Sequence, residues 1–452
     1  MTVTPEDRRY MAAAIRLSRR HTGLTSTNPS VGCVIVKDGI VVGSAVTARG
    51  GRPHAETQAL SIAGEAARGA TAYVTLEPCS HWGKTPPCAN ALVAAGVSRV
   101  VVCLTDPDPR VSGRGLAILR EAGIEVVSGV LEEEGRQALE AYLMRQMKGR
   151  PHVTLKLAVS ADGMIGRKGA GQVAITGPIS RAQVHALRAE MDAILVGIGT
   201  ALADDPELTV RLPGLEDRSP VRIVLDRHLR LPLTSKLVRT AGDVPVMVAV
   251  MPAAARSSEV LPEKTPSALP GISPTRGEIE DAHAPALERE QQKATTRSAL
   301  ETPEVIRETF SGADGAALPI SPLVGEMPGR AEGGNTHAEP AILAARRQAL
   351  TDAGVEVLDA ADLADLLTQL ASRGLSSLLV EGGASVARAF LEAGLVDRIL
   401  LFEGETVIGE GGIESPLTAH DIPKDYKPVR RMRFGADSCC DYEREFECLR
   451  VS

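Results

Sequence analysis

Apolar positions recur at helical spacing in "PEDRRYMAAAIRLSRRH", then switch to runs of strand length in "VGCVIV" and "IVVGSAV", which flank a "KDG" turn. "HAETQALSIAGEAA" returns to helical spacing. "ATAYVTL", "RVVVCL" and "IEVVSG" predict strands, separated by the helices "PPCANALVAAG", closed by Gly96, and "GRGLAILREAG". Such a succession implies a sheet covered by helices.

After "MKGRPHV" the pattern restarts, which predicts a domain boundary near residue 148. "VTLKLAVS", "AILVG", "VRIVLD" and "VPVMVAV" read as strands and "SRAQVHALRAEM" as a helix. Towards the end come the helix "AADLADLLTQLASRG", the strand "SLLVEGG", the helix "SVARAFLEAGLV" and the strand "RILLF". Between residues 253 and 340 the texture changes: 10 of the chain's 29 prolines lie here, with one aromatic residue, Phe310, and no cysteine. "ALPGISPTRGE" and "ALPISPLVGE" echo each other within it. A stretch so poor in burial potential is expected to be disordered. "VPVMVAVMP" before it and "AGVEVLDAADL" after it read as neighbouring pieces of one fold, so it is expected to be an insertion into the second domain.

Composition narrows the class. Hydrophobic residues make up 44% of the 452 but aromatics only 2%, so Val, Leu, Ile and Ala must fill the cores of an α/β protein. The net charge of -7 lacks the footprint of a nucleic-acid binder. The N-terminus carries no apolar signal core and no apolar run approaches a bilayer span, so the expectation is a cytoplasmic protein without membrane contact. Seven cysteines in such a protein read as ligands, core thiols or bystanders rather than disulfides. Cys33 and Cys103 fall inside strands as core thiols, and Cys439, Cys440 and Cys448 have no nearby histidine.

The remaining two cysteines belong to the stretch that begins "PHAE" and ends "EPCSHWGKTPPC". A catalytic zinc takes three protein ligands and keeps one position open. His54, Cys79 and Cys88 supply three, and Glu56, two residues from the histidine, is then the proton carrier between attacking water, ring nitrogen and leaving amine. H-x-E followed by P-C is the order of zinc nucleobase deaminases, although their second cysteine follows after two residues and here after eight. A structural zinc would need a fourth ligand, for which His81 is the nearby candidate. In the second half, "SLLVEGGASVARAF" joins a strand, two glycines and a helix start, where backbone amides can approach a phosphate. It is not the full G-x-G-x-x-G fingerprint, and read alone it is more readily a plain tight turn.

"TNPSVGCVIVKDG", "PHAE", "GATAYVTLEPCSHWGKTPPC", "DPDP" with "GRG", "LKLAVSADGMI", "ALADDPELTVR" and "LLVEGGAS" together resemble the bifunctional riboflavin-biosynthesis deaminase/reductase family. The likeness covers nearly everything but the insertion and the last forty or so residues. It implies a cytidine-deaminase-like α/β/α domain over 1–147 and a dihydrofolate-reductase-like α/β domain over 148–452. It implies zinc-dependent hydrolysis of the 2-amino group of 2,5-diamino-6-(5-phosphoribosylamino)pyrimidin-4(3H)-one, then NADPH-dependent reduction of the ribosyl to a ribityl chain. His54, Cys79 and Cys88 correspond to zinc ligands and Glu56 to the catalytic proton donor; Asn28 and Lys84 correspond to substrate contacts. Ala158, Ala174, Thr200, Asp204 and the run Gly383, Ala384, Ser385, Val386, Ala387, Arg388 and Ala389 correspond to the cofactor site. Gln172, Arg188, Leu208, Arg211 and Glu381 correspond to the reductase substrate site.

This chain departs from the family pattern in three places. Ala174 stands where a cofactor-stacking Trp is common, and Gln172 and Arg227 replace frequent serines. Those departures leave open a deaminase with an impaired reductase domain. A zinc-stabilised nucleotide-binding module without turnover is the rival from outside enzymes. The partners expected are small molecules, with a homo-oligomer compatible.

Overall fold

The computed structural model describes residues 2–82, 86–252 and 338–445. The expected disorder over 253–340 falls almost wholly outside them, as do Lys84 and Cys448.

Five strands form the first sheet. The chain runs α1 (Pro5–Ser18), β1 (Gly32–Lys37), β2 (Ile40–Val46), α2 (Ala55–Ala63), β3 (Thr71–Leu76), α3 (Cys88–Ala95), β4 (Arg99–Leu104), α4 (Arg114–Glu121), β5 (Glu125–Ser128) and α5 (Glu132–Lys148). The sheet order is β2-β1-β3-β4-β5, with β1 antiparallel to both neighbours and β3, β4 and β5 parallel. Strands β3 and β4 are nearly continuous apolar runs because helices cover the sheet, and Cys33 and Cys103 are fully buried among them. Gly32 and Gly43 let α1 and α2 lie close: an added Cβ would stand 2.1 Å from the Ala14 carbonyl and 2.3 Å from that of Ala59.

The second sheet is larger. Its elements are β6 (His152–Val159), β7 (Met164–Arg167), α6 (Pro178–Arg188), β8 (Ala193–Gly197), α7 (Ile198–Asp204), β9 (Val221–Leu225), α8 (Lys236–Arg239), β10 (Val246–Val250), α9 (Ala338–Asp352), β11 (Glu356–Asp359), α10 (Leu363–Ser372), β12 (Ser377–Val380), α11 (Ala384–Glu392), β13 (Arg398–Glu403), β14 (Gly412–Glu414), β15 (Tyr426–Phe434) and β16 (Asp437–Arg444). The order is β11-β10-β9-β8-β12-β6-β13-β16-β15. Pairings from β11 to β13 are parallel, and β16 and β15 close the edge antiparallel. Strand β10, which leads into the expected insertion, pairs in parallel with β11, which follows it, Val248 opposite Val357. Among the described residues no helix is long and apolar enough to cross a membrane.

Candidate active sites

His54 is the residue before α2 and Cys88 opens α3, while Cys79 follows β3, so two helix starts and a strand end converge. Pro87 stands at the N-cap position of α3, just before Cys88. The Nδ1 of His54 lies 3.7 Å from Cys79 Sγ and 3.4 Å from Cys88 Sγ, and the three ligand atoms fall within 4.8 Å of one another. An imidazole nitrogen with two sulfurs is a donor set suited to zinc, and His54 Nε2 is buried without a partner, so the ring has no competing engagement. The Cys88 thiol donates to Cys79, which brings Cys79 down to about 4 and pushes Cys88 up.

Glu56 faces the same cavity and is only 3% exposed. Burial, helped by the negative charge of Cys79, pushes its carboxyl up to about 7, where it can both take and give a proton near neutrality. The cavity, about 460 Å³, is also lined by Asn28, His81, Asp106, Asp108 and Tyr142. Asn28 closes a turn with Thr25 and also lines the cavity. His81 lines the cavity outside the three-residue cluster; its neighbour Trp82 points to solvent instead of the cavity. Burial raises Asp106 to about 6, and the Tyr142 hydroxyl donates to its two oxygens at 3.0 and 3.2 Å.

In the second domain the carboxyl ends of the adjacent parallel strands β8 and β12 carry the glycine turns that open α7 and α11. Gly383 precedes α11 with no side chain capping the helix, and an added Cβ would meet Thr200 Oγ1 at 3.3 Å. Gly382 and Gly197 are pressed against Val386, at 2.7 and 2.6 Å for an added Cβ. A cradle so tight, with free amides at its end, fits a phosphate. Thr200, Gly383 and Val386 are thus brought together. Asp204 ends α7, Ala158 lies in β6, and Ala174 and Gln172 are exposed between β7 and α6. Ala387 is fully buried in the core and turns away from the turn, and Arg388 and Ala389 are exposed.

Arg188 clasps Glu381 with Nε at 2.8 Å and Nη2 at 3.0 Å, and donates to the Thr209 carbonyl. Leu208, buried, holds a left-handed φ of 56° in that loop. Arg211 is exposed and pairs with Glu207, while its N–H donates to His185. Two members of this cluster escaped sequence reasoning. Lys156 Nζ lies 4.0 Å from Glu381, and burial lowers its pKa against the pull of Glu381; burial likewise lowers His185. Lys156 sits between buried Leu155 and Leu157 in β6, where a lysine within a largely apolar run is the available signal.

The model of the cytidine and deoxycytidylate deaminase zinc-binding region matches residues 4–104, and the RibD C-terminal domain matches 151–261 and 335–439. The riboflavin biosynthesis protein RibD of Escherichia coli (strain K12) is 47% identical over 249 residues, 53% of this chain and 68% of that protein. That of Aquifex aeolicus (strain VF5) is 47% identical over 234 residues, 52% and 65% of the two chains. Among solved structures, Acinetobacter baumannii RibD, form 1, superposes with a TM-score of 0.70 at 31% identity, covering 98% of this chain and 99% of its own. The diaminohydroxyphosphoribosylaminopyrimidine deaminase/5-amino-6-(5-phosphoribosylamino)uracil reductase of Thermotoga maritima gives 0.68 at 28% identity, covering 97% and 98%.

Proposed function

This chain belongs to the RibD family of riboflavin-biosynthesis deaminase/reductases, and from that premise we propose that it performs both steps. The first is hydrolysis of the 2-amino group of 2,5-diamino-6-(5-phosphoribosylamino)pyrimidin-4(3H)-one to 5-amino-6-(5-phosphoribosylamino)uracil and ammonia. The second reduces the ribosyl to the ribityl chain with NADPH. The observation that carries this reading is the convergence of His54, Cys79 and Cys88 beside the buried carboxyl of Glu56.

Zinc held by those three residues supplies the Lewis acid that makes water a competent nucleophile near neutral pH. Glu56 takes one proton from the attacking water and gives it to the ring nitrogen, then takes the second from the newly attached hydroxyl and gives it to the amine, which departs as ammonia. Asn28 and Lys84 are assigned to the substrate.

NADPH supplies the hydride in the second domain. Its phosphates are assigned to the turn at Gly383, Ala384 and Ser385, with Ala158, Ala174, Thr200, Asp204 and Val386 around the rest. Ala387, buried in the core, supports helix α11 behind the turn, and Arg388 and Ala389, exposed as Ala174 is, are assigned with it to the cofactor. Arg188, Arg211, Leu208, Gln172 and Glu381 are assigned to the ribotide, the arginines matching the planar demand of its phosphate. NADPH and a phosphorylated small molecule are reagents of the cytoplasm, where the reading puts the enzyme, with no nucleic-acid partner. Incubating the purified chain with the diaminopyrimidine ribotide, with and without NADPH, and weighing the products tests this. Amine loss alone, even with NADPH, would sink the two-step reading.

A further inference from the structure

Helix α5 lies beyond the residues matched to the zinc-binding region, which end at 104, and before those of the second domain, which start at 151. Even so, Tyr142, Arg145 and Gln146 line the same cavity as His54, Glu56 and Cys79. Their spacing of three and four residues puts them on one side of the helix. Glu140 of α5 ties the helix to the second domain through Arg398 at 3.2 Å and His152 at 3.6 Å.

The polar groups on this wall are not equally committed. Tyr142 is engaged with Asp106. Arg110, across the cavity, is held by the Asp108 carboxylate through Nε and Nη2. Arg145 donates to a neutral acceptor, the Thr27 carbonyl, and its Nε is buried without a partner. Among the described residues no carboxylate lies within ion-pair distance of it. Asp192 acts on it only at longer range, and a guanidinium with a donor to spare and no directly paired carboxylate is matched by an oxyanion, above all a phosphate. A volume of about 460 Å³ leaves room for more than a pyrimidine ring.

We propose that Arg145 is a specificity residue of the deaminase site, binding the substrate's phosphate and so selecting the ribotide over the dephosphorylated riboside. This rests on the functional reading above. Steady-state deamination of both compounds by the full chain, as parent, Arg145→Gln and Arg145→Lys, tests it. The expected result is that the parent prefers the ribotide and Arg145→Gln loses about ten- to hundredfold of that preference, through KM for the ribotide. Arg145→Lys recovers part, since it keeps the charge and loses the fork. An equal loss on both compounds would assign Arg145 to holding Thr27 and overturn the proposal, as would an unchanged preference. A parent that deaminates neither compound would overturn the functional reading itself, a result distinct from either.

Discussion

The carboxylate of Glu77 accepts the backbone N–H of Gly115 at 2.9 Å, so the residue two before Cys79 also holds the start of α4. It accepts from Gly113 and Leu116 as well, and from Asp106 in the cavity wall. An added Cβ at Gly115 would stand 2.0 Å from the Pro78 carbonyl. Gly115→Ala therefore pushes α4 off Pro78 and disturbs Cys79 beside it. The expected outcome is a loss of about 1–3 kcal/mol in urea unfolding and a lower zinc content by metal analysis. Full zinc content with unchanged stability would contradict it.

Acid should weaken the first domain through Asp7 and Arg99. Asp7 is buried, which alone would raise its pKa, but the Arg99 guanidinium at 2.6 Å holds it well below the usual 3.8. A carboxyl depressed in the folded state contributes stability above its unfolded value, and loses it as pH falls through 3.8 towards the folded value. Asp7→Asn should cost about 1–3 kcal/mol at pH 7, since it leaves Arg99 only its pairing with the more exposed Glu125 at 3.0 Å. The gap from the parent should narrow below about pH 4. Unfolding midpoints at pH 7, 5 and 3 decide the point; a gap independent of pH would refute it.

The order of elements was legible because strands such as β3 and β4 are apolar runs between turn signals, and the metal cluster because a histidine and two cysteines at segment ends follow the H-x-E and P-C order despite the longer cysteine spacing. Helix α5 was not legible. It starts after Leu131 at a left-handed φ of 55° with no side-chain cap, and Gly135 interrupts its apolar pattern because an added Cβ would strike Cys103. Edge strand β15 was missed for the opposite reason: charged residues such as Lys427, Arg430 and Arg433 leave its outer run without alternation. Lys156 and His185 join Glu381 only through tertiary packing.

Glu381 opposes two partly buried cations, Arg188 and Lys156. Burial lowers the pKa of Lys156 and the carboxylate resists that fall. Glu381→Gln removes the resistance, so Lys156 should lose its proton at a lower pH. NADPH oxidation with the aminouracil ribotide should drop at least about tenfold, and the alkaline limb of its pH profile should move to lower pH. An alkaline limb that stays in place would separate Lys156 from the reaction.

Glu56→Gln changes the proton carrier and leaves the three ligands in place. Deamination should fall by about 10²- to 10⁴-fold, while zinc content and reduction of the aminouracil ribotide persist. Chelation attacks the same step from the other side. Removing zinc should stop ammonia release with the fold retained by circular dichroism, and added zinc should restore it, because a three-ligand site serves chemistry more than folding. Unfolding on chelation would indicate a structural metal. A Glu56→Gln enzyme that deaminates at the parental rate would remove Glu56 from the proton path.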